Sequence, residues 1–302
     1  MKKILKWIGI VLVGLVGLVL VVALIGYFAG RSKLTRAYEY TPETLAVSSG
    51  AEAEARGQYL VEHWMLCADC HGPGLGGGEF IDDPMLGLLD APNLTFGEGG
   101  IGGAYKDADW VRALRHGIRP NGEVLVIMPA QEYTHVDAGE LGDIVAYLKS
   151  LPPVDNQTRP RALGPISLVL LGLGVIPETD LLPATVIDHS ALPPVAPARA
   201  VTVEYGEYRA NTCRGCHGPN LAGTPADPQF GSDAIPNLTP GGELLAWTEQ
   251  DFITTLQTGV TPLGHELDPV MMPWPGIGSA DVDELQALWL YLTSLPALPD
   301  NE

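Results

Sequence analysis

Cys67-Ala68-Asp69-Cys70-His71 and Cys213-Arg214-Gly215-Cys216-His217 repeat one pattern, C-x-x-C-H, and between them use all four cysteines of the 302-residue chain. Two thiols three residues apart can each add to a vinyl group on one edge of the same macrocycle. The histidine that follows then lies under the iron as its proximal ligand. A segment with this pattern has to fold around a flat, bulky cofactor, which constrains it more than any local propensity. Zinc would need the two pairs, 146 residues apart, to converge in space, and a dithiol redox site needs no histidine after its second cysteine. Both copies also continue as His-Gly-Pro. The pattern predicts two covalently bound haem c groups, held by Cys67, Cys70 and His71 and by Cys213, Cys216 and His217, and it leaves no cysteine for a disulfide.

The repeat extends well beyond these motifs. Ala91-Pro92-Asn93-Leu94-Thr95 matches Ile235-Pro236-Asn237-Leu238-Thr239, Asp109-Trp110-Val111 matches Asp251-Phe252-Ile253, and Met128-Pro129 matches Met272-Pro273. Ala146-Tyr147-Leu148-Lys149-Ser150-Leu151-Pro152 then matches Leu290-Tyr291-Leu292-Thr293-Ser294-Leu295-Pro296. A methionine thioether commonly closes the sixth position of a small c-type haem and raises its potential. Met128 lies 57 residues after His71, and Met272 lies 55 after His217. Each precedes a proline, which stiffens the backbone that presents it. The metal ligands are thus expected to be His71 with Met128 and His217 with Met272. Met271 can serve in place of Met272, and a core-filling role is the plain alternative for any methionine. His116, His135 and His265 are rival ligands, but none recurs at the same place in both halves; His63 reads as an ordinary histidine.

Helical spacing predicts a helix from Ala51 to Leu66 into the first motif and a shorter one, around Tyr205 to Asn211, into the second. Asp107 to His116, stopped by Gly117, and Thr248 to Gly259 have acidic starts and glycine ends. Val136 to Leu151 and Ala280 to Leu295 read as closing helices, each ended by proline. Gly-rich loops such as Gly72 to Gly78 allow backbone close to a flat cofactor. The haem supplies apolar volume that so small a domain lacks.

These residues resemble the class I cytochrome c domains of the membrane-bound cytochrome subunits of bacterial periplasmic dehydrogenases, of which the alcohol dehydrogenase subunit is the best-known example. The resemblance covers about residues 52–153 and 201–297. It rests on Arg56-Gly57-Gln58-Tyr59-Leu60, Cys67 to Gly72, Pro92-Asn93-Leu94-Thr95, Gly100-Ile101-Gly102, Asp109 to Arg115, Met128-Pro129 and Ala146 to Pro152. It implies His/Met ligation of both irons, with Pro92 and Pro236 placing a carbonyl against the proximal ring. There are departures. Those subunits often carry three haems rather than two, Ala130 stands where an aromatic is more common, and Thr261 to Asp268 matches loosely. The expected fold is all-α: one N-terminal transmembrane helix followed by two tandem class I cytochrome c domains. The expected boundaries are an anchor at 1–36, a linker at 37–51, domain 1 at 52–153, a Pro-rich and apolar connector at 154–200, and domain 2 at 201–302.

Trp7 to Gly30 runs 24 residues without a charge, enough to cross a bilayer with some tilt. Lys2, Lys3 and Lys6 on one side and Arg31, Lys33 and Arg36 on the other leave the positive-inside count balanced. The haem decides orientation instead, because c-type haem is attached outside the bacterial membrane. The N-terminus is expected to be cytoplasmic and both haem domains periplasmic, on a single-pass membrane protein. A cleaved signal peptide would have a shorter apolar core and a small residue where Phe28 stands. Beyond residue 36 there are 11 basic and 36 acidic residues, a balance that excludes nucleic acid as a partner. Ala162 to Pro177 is uncharged, and Gly164-Pro165 interrupts it. It is expected to pack over the domain interface, or else to touch the membrane or a partner. Glu178 to Ala200 reads as an extended connector.

Neither half has a catalytic grouping or a nucleotide-binding glycine pattern, so no catalysis beyond the iron's own is expected. The reading is a membrane-anchored dihaem cytochrome c that relays single electrons on the outer face of the membrane. Its partners would be other redox proteins: a dehydrogenase, an oxidase, a quinol-oxidising complex or a reaction centre. The alternatives are the dihaem subunit of a haem–copper terminal oxidase and a dihaem peroxidase, which needs one open iron. A thiosulfate-oxidising enzyme would need a spare distal cysteine, and none remains.

Overall fold

The computed structural model describes residues 2–40, 45–226 and 233–301. It is mostly helical. α1 (Lys2–Leu34) is the one helix among the described residues long and apolar enough to cross a membrane. α2 (Ala51–His63) and α3 (Ala68–His71) lead into the first motif, followed by α4 (Asp107–His116) and α5 (Ala138–Ser150). The stretch between the repeats holds α6 (Pro165–Leu173) and α7 (Glu178–Leu181). The second half has α8 (Val203–His217), α9 (Glu249–Thr258), α10 (Trp274–Gly278) and α11 (Val282–Ser294). The expected ends of α4 and α9 are present as left-handed caps at Gly117 and Gly259, with φ of 64° and 71°.

A small antiparallel sheet was not foreseen. β1 (Gly78–Asp83), β2 (Gly87–Ala91) and β3 (Ala162–Leu163) lie in that order. The Asp83 carboxylate accepts from the amides of Met85 and Leu86 at 2.7 and 2.8 Å and so makes the β1–β2 turn. Arg159 then clips the sheet, reaching Asp90 and Asp82 at 2.7 Å and Glu79 at 2.8 Å.

The chain divides into two compact units. The first comprises α1, the loops from Cys70 through α4 to Met128, and the stretch carrying β3, α6 and α7. Its core joins Leu89, Ile118, Val124, Val126, Leu171, Leu182 and Ala184, flanked by Tyr38 and Tyr40. The expectation of a merely extended connector after Glu178 is therefore corrected: Leu182 and Ala184 are core residues, and α7 turns the chain so that they can be. Ala162 to Pro177 likewise lies within this unit, with α6 packed on α1.

In the second unit two helix pairs cross closely, α2 on α5 and α8 on α11. Each crossing needs a glycine, because a Cβ at Gly57 would stand 2.0 Å from the Asp143 carbonyl oxygen and one at Gly206 1.9 Å from that of Ala287. A buried ionic and aromatic network ties the pairs together. Glu284 accepts from Tyr59 at 2.5 Å, from the Trp64 indole at 2.8 Å and from Tyr205. Arg209 reaches Glu140 at 2.6 Å and stacks on the rings of Trp64, Tyr205 and Tyr208. Each buried charge thus has an opposite charge and several donors or acceptors, the condition for tolerating it in a core.

Candidate haem sites

His71 and His217 present the same geometry. Each Nδ1 lies 2.8 Å from a carbonyl oxygen, that of Pro92 for His71 and that of Pro236 for His217. A carbonyl only accepts, so Nδ1 carries the proton and Nε2 keeps its lone pair. Burial lowers the pKa of both rings, against the opposing pull of the carbonyl bond. Both are thereby held as the neutral imidazole that binds a metal, oriented by an outer hydrogen bond.

The Pro-Asn-Leu-Thr motif is the device that holds that carbonyl. Asn93 Oδ1 accepts from the Thr95 amide and hydroxyl at 2.9 and 2.8 Å, while its Nδ2 donates to the Val154 carbonyl at 2.7 Å. Asn237 does the same with Thr239, at 2.8 and 2.7 Å, and with the Leu298 carbonyl at 2.9 Å. The loop bearing each proline is therefore tied to the chain just beyond its closing helix. One buried leucine in each half, Leu75 and Leu221, adopts a positive φ of 56° and 60° four residues after the proximal histidine. Strained backbone at matched positions is what a close-fitting ligand pocket produces. No sequence signal marked these two leucines.

The cysteines approach differently in the two halves. α8 runs unbroken through Cys213 and Cys216 to His217, so the expectation of a shorter helix there is corrected. In the first half α2 stops at His63, Leu66 turns to φ 51°, and α3 carries Cys70 and His71. The crossing glycines explain this. Gly57 is ten residues before Cys67, whereas Gly206 is seven before Cys213. Three extra residues in a continuous helix would turn the cysteines about 60° away from register and push them about 4.5 Å along the axis. The chain breaks instead. Burial pushes the Cys213 thiol up to about 12 and raises that of Cys216. Such thiols are not activated for thiolate redox chemistry.

Met128 and Met272 each end a loop that opens with a short antiparallel bridge, Ile118 to Val124 and Val260 to Glu266. Both methionines are half-buried, while Met271 projects into solvent. Ile127, just before Met128, is held at φ 67°. Among the rivals, His116 Nδ1 is engaged with His189 Nδ1 at 3.2 Å and His265 is exposed. His135 packs edge-on to Tyr208, and His63 donates to the Gly276 carbonyl or accepts from Ser279. The Trp110 indole N–H is buried without a partner among the described residues, and its counterpart Phe252 has no such donor. Neutral, oriented imidazoles directly after paired cysteines, with a buried leucine of positive φ at the same place in each half, fit two haem groups.

Comparison with known proteins agrees. The family described as cytochrome c oxidase, cbb3-type, subunit III matches residues 52–148 and 203–292, one segment in each half of the repeat. The chain is 28% identical over 295 residues to a dihaem cytochrome c-type protein of Cereibacter sphaeroides, covering 88% of this chain and 93% of that one. It is 28% identical to the fructose dehydrogenase cytochrome subunit of Gluconobacter japonicus, over 90% of this chain and 58% of the relative. It is also 28% identical to the cytochrome c subunit of the quinone-linked alcohol dehydrogenase of Gluconobacter oxydans, over 82% and 55%. The chain thus spans little more than half the length of these two dehydrogenase subunits.

Proposed function

This chain belongs to the family of cytochrome c oxidase, cbb3-type, subunit III, and from that premise we propose a membrane-anchored dihaem cytochrome c that relays single electrons outside the membrane. Each haem iron, when bound, cycles between its ferric and ferrous states and so carries one electron. The protein's part is to hold the two groups. Cys67 and Cys70, and Cys213 and Cys216, form the thioether links. His71 and His217 would hold the iron through Nε2, oriented by the carbonyls of Pro92 and Pro236, and Met128 and Met272 would be the second ligands. The domains are taken as 52–153 and 201–302, with α1 as the anchor and the haem domains periplasmic. The partner is a redox complex of the dehydrogenase type, a reading that two of the relatives support.

The observation that carries this reading is the identical His-to-carbonyl bond after C-x-x-C-H in both halves. Haem counting on the full-length protein tests it. Two haems per chain should resist acid–acetone extraction, and serine at Cys67 and Cys70, or at Cys213 and Cys216, should each leave one. Extractable or absent haem would refute it. Purification from membranes in mild detergent, with mass spectrometry of co-purifying chains, tests the partner: a dehydrogenase supports the assignment, an oxidase replaces it.

A further inference from the structure

α6 uses one face in the core of the first unit, through Ser167, Leu168 and Leu171. The other face is apolar as well. Leu173 and Val175 are 44% and 48% exposed, and Ser167 is the only polar side chain from Pro165 to Ile176. A helix face washed by water normally carries charged or amide side chains instead.

The placement of α6 on α1 shows which medium that face meets. A Cβ at Gly172 would stand 1.7 Å from the Gly26 carbonyl oxygen, and one at Gly30 would stand 2.0 Å from that of Leu168. Small residues that let two backbones touch are the usual packing between helices in lipid. Gly30 meets Leu168 whereas Gly26 meets Leu173, so α6 descends as α1 rises. Its C-terminal tip points back along the uncharged run of α1. Arg31 is the first charge after that run, and Gly26 lies five residues before it, about 7 Å along the helix axis. Interfacial helices bury their apolar faces to about 5–10 Å, a similar depth.

A helix end enters such a medium only with its terminal carbonyls satisfied. The Leu170 carbonyl accepts from the amides of Val175 and Ile176, at 2.9 and 3.3 Å. The Leu171 carbonyl accepts from the Gly174 amide at 3.3 Å and from Lys33 Nζ at 2.7 Å. Gly174, at φ 74°, makes the reversal. Lys33 also pairs with Glu178 at 3.2 Å, where the chain turns polar again.

We propose that α6 and its Leu173–Ile176 tip insert into the outer interfacial layer of the bilayer, a second lipid contact that seats the first unit on the membrane. This rests on the reading of α1 as a membrane span. The test places a diazirine-bearing leucine analogue at Leu20, Leu171 or Leu173 of the full-length holoprotein, in vesicles of phosphatidylcholine and phosphatidylglycerol. Lipid adducts are expected at Leu20 and Leu173, with roughly tenfold fewer at the core-facing Leu171. Adducts at Leu20 without adducts at Leu173 overturn the proposal and leave the span intact. Crosslinks from Leu173 to another polypeptide overturn it in favour of a partner subunit or a second copy. Absence of lipid adducts at Leu20 as well removes the span and the proposal with it.

Discussion

The bridge that opens the loop before Met128 is sealed, with Val124 at 0% exposure beneath Leu171, Leu182 and Ala184. The equivalent loop before Met272 lies open, with Leu263 at 87% and Val270 at 86%. The difference is finished at one residue. After Met272-Pro273 comes Trp274, whose ring occupies the space over Gly259 and whose Nε1 donates to the Leu267 carbonyl at 3.1 Å. After Met128-Pro129 comes Ala130, too small to fill the corresponding space over Gly117 alone, which it shares with Pro183 and Ala184 from the stretch between the repeats. One half closes its loop with its own tryptophan, and the other borrows a lid from the connector. The connector therefore packs on the loop that leads to Met128 and is not merely a tether.

Replacing the methionines bears most heavily on this comparison. Met128→Ala and Met272→Ala should each lower the potential of their own haem by a sizeable part of the roughly 0.8 V that axial ligands command. Each should also admit carbon monoxide to the reduced protein, more slowly at the covered first site. Equal rates would mean that the lid does not shield that face. Leu182→Ala empties a fully buried position and should cost about 2–5 kcal/mol, whereas Leu263→Ala should stay within about 0.5 kcal/mol. Denaturant unfolding of the holoprotein reads both.

Acid should also separate the halves. His116, beside His189 at the end of α4, is pulled down from 6.5 to about 4 by burial, by His189 and by Arg115 and Arg112. Its counterpart at the end of α9 is Thr258, which does not titrate. As pH falls below 6.5 the unfolded chain takes up a proton that the folded ring refuses, so this stability is complete above 6.5, is lost down to about 4 and declines no further. The loss is on the order of 2–3 kcal/mol after screening. His116→Gln should flatten the curve, as measured by melting against pH.

Two smaller changes test what the halves share. Asn93→Ala and Asn237→Ala each orphan buried partners and should cost about 1–3 kcal/mol, nearly equally. A large inequality in unfolding would break the claim of a common proximal device. Trp274→Phe keeps most of the ring and loses one hydrogen bond, about 1 kcal/mol, with the second haem alone affected in a thermal melt monitored by its absorbance.

Much of the site was legible in advance because its chemistry is local. The histidine of C-x-x-C-H meets the carbonyl of Pro-Asn-Leu-Thr as expected, and the glycine caps of α4 and α9 need only one backbone conformation, whereas the Met-Pro ligands stay an expectation. The broken approach to Cys67 was hidden for a different reason. Ala51 to Leu66 has good helical spacing throughout, and only the crossing at Gly57, against Asp143, makes three extra residues intolerable. Glu284 was equally silent: a glutamate in a closing helix reads as surface until Tyr59, Trp64 and Tyr205 surround it.

The sequence by itself determined two haem-binding repeats and an apolar helix long enough to span a bilayer, because covalent spacing and uncharged length act over short stretches of chain. Only the tertiary structure decided that the stretch between the repeats packs over the loop before Met128 and on the end of α1. That choice depends on what lies across from each apolar side chain. Leu171, Leu182 and Leu173 look alike in the chain, yet the first two face a core and the third does not.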